Sequence, residues 1–401
     1  MEYKLKDIGK IVTGKTPKTS EKENFSNKND KYLFLTPKDM SGNDKYIRVT
    51  ERFLTDNVTS KFSNIILYTK SVCISCIGSD MGKVFMIEKP TITNQQINSI
   101  TTINENICNP EYLYYYFKDK KEYLKCIAGG STMPILNKST FENIYVDLPD
   151  IAIQNKIVKI VKHIDEKIEL NNQTNDNLYE ITNKLYEQLF VVERQDDWKE
   201  YNLQELMNIS NGYSYTGKEL VDTSVVGMAT IKNFERTGGF KEEGFKDIEP
   251  IKAKDNHYAD KFDILVACTD LTQNADIIGN AVMLLNTGKY EKVVISMDLV
   301  KILPKKNKYL VFSILNSKEF KNFALGYKTG TTVLHLNKNC FKDFNIKLPD
   351  LDKLEEFEKV VAVNYRKISS NLEENNTLTQ LRDTLLPKLM NGEIDLDKIE
   401  I

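Results

Sequence analysis

The chain has 401 residues, 41% hydrophobic and 28% charged, with a formal net charge of −2. That length accommodates two or three domains with cores of their own, and the composition is that of a globular protein. No run of 18 apolar residues occurs and "MEYKLKDIGK" has no apolar core, so neither a membrane span nor a secretory signal is expected and we read the chain as cytoplasmic; a charge this small neither supports nor excludes a nucleic-acid partner, because local patches decide.

The first element is the opening "EYKLKDIGKIVTG" at 2–14. The run "IILYTKSVCISCIG" at 65–78 is rich in β-branched and aromatic residues, as strands are. It holds Cys73 and Cys76, the one C-x-x-C pair among six scattered cysteines. With three His in the chain and no second ligand pair, buried thiols rather than zinc or disulfides are expected. Gly78 to Gly82-Lys83 is one residue short of a phosphate-cradling loop and ends on Val84. "NPEY" at 109–112 reads as a helix start, with Asn109 as cap and Pro110 in the first turn, and "EYLYYYF" continues it. No hydrolase constellation and no glycine-rich nucleotide site can be named.

The stretch "GGSTMPILNKSTFENIYVDLPD" at 129–150 follows, and its frame returns at 329–350 as "TGTTVLHLNKNCFKDFNIKLPD". The opening returns too, as "EYNLQELMNISNG" at 200–212. The chain is therefore an internal repeat. Each copy has a mixed module of about 150 residues, with the strand-like "KFDILVACTDL" and the helix-like "KYLVFSILNSKEFKNFALG" in the second. A long stretch without proline or glycine follows each LPD, over 151–192 and again from 351 to Leu386, where Pro387 is expected to interrupt it.

Both long stretches carry a seam stepping by four and three. It runs Ile157, Val161, Ile164, Ile168, Asn171, Asn175, Leu178, Thr182, Leu185, Leu189 in the first. Two hundred residues on it runs Phe357, Val361, Asn364, Ile368, Asn371, Asn375, Leu378, Arg382, Leu385, Leu389. The expected fold is α+β: two pseudo-repeated globular modules separated by two long helices that form an antiparallel coiled coil. The alternative is two amphipathic helices, each lying on its own module. Asn171, Asn175, Asn371 and Asn375 lie near the helix midpoints and are expected to meet and set the register. Leu at both 171 and 371 is expected to stabilise the pair and loosen that register. Forty residues of helix make a rod of roughly 60 Å, suited to holding two modules apart.

In these features the chain resembles the specificity subunit of type I restriction–modification systems. The carriers are the repeated G-x-T-x-x-x-LNK…LPD run, the long helix after each LPD, "TNQQ" at 93–96 and the closing "LLPKLMNGEIDL" at 385–396. The second copy has no counterpart to "TNQQ"; the aligned stretch reads "VVISMDLV" at 293–300. The resemblance implies target recognition domains at 1–150 and 193–350, and spacer helices at 151–192 and, with the tail, 351–401. Each domain would read one half of a bipartite double-stranded DNA target, and the helices would set the gap. Partners would be two adenine methyltransferase subunits and, in the full complex, a restriction–translocation subunit. The chain itself would hold no catalytic site and no cofactor, S-adenosylmethionine being used by the methyltransferase.

Phosphates are contacted by Lys, Arg, Ser, Thr and Asn, and base edges are read by Arg, Lys, Asn and Gln. In the first module such residues sit in candidate loops at Lys15, Thr16, Lys18, Lys38, Ser79, Lys83, Asn94, Gln95, Gln96, Ser131, Thr132 and Lys138. In the second they are Tyr215, Lys218, Lys232, Asn233, Arg236, Thr269, Gln273, Asn274, Thr331, Thr332 and Lys338. Residues shared by both copies should do shared work, and those that differ should carry the sequence code. Two other functions fit the sequence: a protein-interaction scaffold that ignores DNA, and an orphan or inhibitory specificity-like protein.

Overall fold

The computed structural model describes residues 1–26, 31–40, 45–129, 134–236, 239–272, 275–351 and 354–398, except the side chains of Ser79 and Asp397. The chain divides into two compact units, Met1–Glu169 with Leu378–Ile401, and Leu170–Thr377.

The first unit is built on a sheet whose strands include β1 (Lys10–Thr13), β3 (Val72–Ser75), β4 (Val84–Ile87) and β6 (Ile97–Thr101), in the order β1-β6-β3-β4, with Tyr46–Ile47 at the edge. A second sheet centres on β2 (Tyr32–Leu35) running parallel to β5 (Thr91–Thr93). Helix α1 (Pro110–Asp119) covers the first sheet. The Asn109 side chain accepts from the Glu111 and Tyr112 N–H groups, and Pro110 occupies the first turn, where its missing donor does no harm. Tyr112, Leu113, Tyr114, Tyr115 and Phe117 are buried in the core it covers.

Helix α2 (Ile151–Glu187) is 37 residues long and closes in a π-turn over Gln188–Val192. The second unit repeats the first sheet with β7 (Met207–Asn211), β9 (Ile264–Ala267), β10 (Ala281–Met283) and β12 (Leu299–Pro304), in the equivalent order β7-β12-β9-β10. The parallel pair returns as β8 (Val226–Ala229) and β11 (Lys292–Ile295), and the covering helix as α3 (Lys308–Asn316).

The repeated sequences tie off each module. The opening Glu2–Lys4 pairs antiparallel with Tyr145–Asp147, placing Tyr3 opposite Val146. Lys199–Asn202 pairs with Asn345–Leu348 in the same way, with Tyr201 opposite Ile346. Within the shared LNK-x-x-F run, the Asn137 side chain caps the turn Lys138–Glu142, and Phe141 and Phe341 are buried.

Helix α4 (Glu355–Met390) has 36 residues and runs through Pro387 rather than stopping at Leu386. Proline lacks one N–H and here sits in the final turn. The helix then ends normally, with the Asn391 N–H on the Pro387 carbonyl at 2.9 Å and Gly392 at φ +71°. The long helices pack against each other. In the second unit the contacts Asn171–Asn375, Asn175–Asn371 and Thr182–Asn364 run in opposite senses along the two chains, so the pair is antiparallel. Asn171 Nδ2 donates to Asn375 Oδ1 at 2.9 Å, and Asn371 Nδ2 to Asn175 Oδ1 at 2.8 Å, all four residues being buried. Asn375 also donates to Asn172. In the first unit the seam position Arg382 is 3% exposed, and its guanidinium meets Asp165 at 3.0 Å and Asp383 at 2.8 Å. Ile157, Val158, Val161, Leu386 and Leu389 fill the rest of that contact.

Candidate nucleic-acid interface

The loops at one end of each main sheet are held by a common hydrogen-bond frame. In the first module the chain leaves β1 at Gly14, whose N–H reaches the Ile97 carbonyl at 3.2 Å, and the Lys15 N–H reaches Thr93 at 2.9 Å. The Asn94 N–H bonds to Leu35, and the Ile97 N–H closes a turn onto Asn94. The Cys76 N–H takes the Gln96 carbonyl at 2.8 Å, and the Cys76 carbonyl takes the Leu136 N–H at 2.9 Å. A Cβ at Gly14 would lie 2.2 Å from the Thr93 and Asn94 carbonyl oxygens, so glycine is required by the close approach alone.

The second module repeats this bond for bond. The Gly212 N–H reaches Leu299 at 3.2 Å, Tyr213 reaches Ile295 at 2.7 Å and Ser296 reaches Ala229 at 2.9 Å. Leu299 closes onto Ser296, Cys268 takes Asp298 at 2.8 Å, and Leu336 takes Cys268 at 2.9 Å. A Cβ at Gly212 would stand 1.9 Å from the Ser296 oxygen. Residues 295–298, within the aligned stretch 293–300, are therefore the backbone counterpart of 93–96, which corrects the reading that the second copy has none. The signal available in the sequence is the paired glycine, Gly14 and Gly212, at the end of the repeated opening.

This frame gathers the first module's candidate loops. Thr16 donates to Gln95 Oε1 at 2.6 Å, and the Gly78 N–H reaches Pro134. Lys15, Lys18, Gln95 and Lys138 are exposed, and Thr16, Lys83 and Gln96 half-buried. Several cations already have partners: Lys18 with Glu21 at 3.5 Å, Lys38 with Glu51 at 2.7 Å and Lys83 with Asp80 at 2.8 Å. Lys15 lies over the Phe62 ring. Asn94 is 8% exposed and works within the turn, donating to Gln96 Oε1 and accepting from the Gln96 N–H.

In the second module Lys218, Lys232, Arg236, Thr331 and Thr332 are exposed, and Tyr215 and Lys338 half-buried. Arg236 stands 3.9 Å from Asp276, and Lys338 donates to Asn211. Two expected contacts point inward instead. Asn233 is fully buried, accepting from the Thr230 N–H and donating to the Lys241 carbonyl, so it holds a turn. Thr269 is buried in a strand pair with His335, where its backbone is used by the sheet. Ser131, Thr132, Gln273 and Asn274, with the side chain of Ser79, lie outside the described residues.

Electrostatics show loops braced by buried acids. The Tyr213 hydroxyl, with the Thr216 and Ile251 N–H groups, holds the Glu219 carboxyl down at about 2. Burial opposes ionisation of Asp270, but the Ile277 and Thr272 N–H groups outweigh it and keep the carboxyl below its usual range. Burial pushes the Cys73 and Cys268 thiols up to about 12, as inert core thiols. Away from these loops, a cleft of about 250 Å³ is lined by Tyr46, Lys70, Glu105, Glu111 and Lys162. Its charges are paired, Lys70 with Glu105 and Lys162 with Glu111. Among the described residues no group of three His, Cys, Asp or Glu could hold a metal ion, and no helix is long and apolar enough to cross a membrane.

Comparison with known proteins places this geometry. The family model for the type I restriction modification DNA specificity domain matches twice, over residues 1–180 and 195–380. The type I restriction enzyme MjaIX specificity subunit of Methanocaldococcus jannaschii is 26% identical, the match covering 99% of this chain and 94% of the relative. The HindI specificity subunit of Haemophilus influenzae is 38% identical over 46% of this chain and 39% of its own length. The crystal structure of a type I restriction-modification system S subunit from M. genitalium superposes with a TM-score of 0.57 at 16% identity, covering 97% of this chain and 95% of that one. Two matched domains, each closed by the same loop frame and followed by a long helix, show that the chain belongs to the type I restriction–modification DNA specificity family.

Proposed function

We propose that the chain is the non-catalytic, DNA-reading subunit of a type I restriction–modification complex, in which each module reads one half of a bipartite target. The observation that carries this is the duplicated loop frame: one backbone scaffold, written twice in one chain, presenting different side chains. Phosphate contact falls to exposed cations such as Lys15, Lys138, Lys218 and Lys232, and base readout to the turn tips and loops between them. The long helices set the gap, and they dock two adenine methyltransferase subunits that use S-adenosylmethionine. A restriction–translocation subunit completes the assembly.

The test is a genome-wide map of adenine methylation in the source cell with and without this gene. Loss of one gapped, two-part motif supports the reading. Survival of every modification rejects it, and a partner bound without salt-sensitive association to duplex DNA would favour a scaffold.

A further inference from the structure

Resting on that reading, we propose that Met297 and its counterpart Gln95 are specificity-determining residues, each reading a base edge for its own module. Within the shared frame they occupy the same place: the third residue of the turns 93–96 and 295–298, whose backbones make equivalent bonds to Lys15 and Tyr213, Leu35 and Ala229, Cys76 and Cys268. In both turns the neighbours are buried or half-buried. Asn94 is buried and hydrogen-bonded to the half-buried Gln96, and Ser296 is fully buried beside the half-buried Asp298. The third residue alone projects, with Met297 57% exposed and Gln95 exposed.

A rigid turn that projects one side chain and differs chemically between two copies separates position from code. Gln95 has its amide oxygen anchored by the Thr16 hydroxyl at 2.6 Å, which fixes an amide suited to the donor–acceptor edge of adenine. Met297 is a long apolar side chain left 57% exposed, and on a base edge it complements the thymine methyl group, the one apolar feature of the major groove. The pair thus predicts different chemistry at equivalent positions of the two half-sites.

The experiment uses the full complex, reconstituted with its methyltransferase subunits, on a DNA library randomised across the target. M297Q is expected to change base preference by about ten-fold or more at one position of one half-site. M297A relaxes the same position, and Q95M changes one position of the other half. The gap and all other positions stay as they were. If M297Q and M297A both keep every base preference within about two-fold, or weaken all sequences by one common factor, the residue does not read sequence and the inference is overturned. Failure of the underlying reading shows separately, because the unaltered complex would then select no gapped, two-part sequence.

Discussion

The asparagine pairs of the long helices allow a comparison at constant composition. Asn171 pairs with Asn375 and Asn175 with Asn371, so replacing 171 and 371 removes one partner from each pair. Replacing 171 and 375 removes both partners of a single pair. Each double variant trades two Asn for two Leu, so the gain in apolar burial is similar. N171L/N371L leaves the Asn375 and Asn175 carbonyl oxygens buried without donors, at about 1–3 kcal/mol each. N171L/N375L strips donors from the half-buried Asn172 and Glu374, where water can replace them. The 171/371 variant should therefore be the less stable by about 2–6 kcal/mol. In the 171/371 variant the expected gain from apolar burial is opposed by the two orphaned oxygens. For a unit spanning Leu170–Thr377 that difference is roughly 4–24 °C in melting temperature, read by calorimetry on the full chain. Equal melting temperatures, or a lower one for N171L/N375L, would refute the claim that these amides are matched pairs.

Three further outcomes follow from single contacts. G14A or G212A would drive a Cβ within 2.2 or 1.9 Å of carbonyl oxygens, so each should abolish recognition of one half-site and spare the other, as target sequencing would show. R382A leaves the half-buried Asp165 beside Tyr115 without its Arg382 partner and should cost about 3 kcal/mol, whereas R382M with D165L should recover most of it in urea unfolding. Burial, with Arg382 nearby, lowers Lys118 to about 8 despite Asp165 and Asp383. Between pH 8 and the usual lysine value the unfolded chain then binds the extra proton, so stability attributable to this group rises with pH across that window. The melting temperature of K118M should exceed that of the unaltered chain at pH 7, by a margin that shrinks as pH approaches 10; a margin independent of pH would rule this out.

The sequence was most readable where side chains carry the structure. The seam positions are buried or half-buried because a stripe spaced by four and three faces a partner helix, and Asn109–Pro110 starts a helix because a cap and a fixed φ are local properties. Pro387 misled because the penalty for proline falls on the missing donor and the preceding turn, and a helix three residues from its end absorbs it when packing holds the turn, as Leu386 and Leu389 do here. Asn233 and Thr269 misled for a related reason: a polar residue in a loop is as often the brace of that loop as its reader. Exposure, which separates the two roles, is a tertiary property.

The turn at 295–298 lay in the aligned stretch yet was not recognisable as a counterpart, for a deeper reason. Its frame is made of backbone N–H and carbonyl groups, which every residue but proline supplies, so the bonds of Thr93 and Asn94 pass to Ile295 and Ser296 with no trace in side-chain identity. What does leave a trace is the place where a side chain is forbidden. Gly14 and Gly212 recur because a Cβ would collide with the turn, while the residues they shelter are free to diverge. A module that must keep its scaffold and change its target needs that division of labour. The paired glycines mark the fixed backbone, and the exposed tip between a buried and a half-buried neighbour marks where, on the inference above, a new base preference can be written without disturbing the fold.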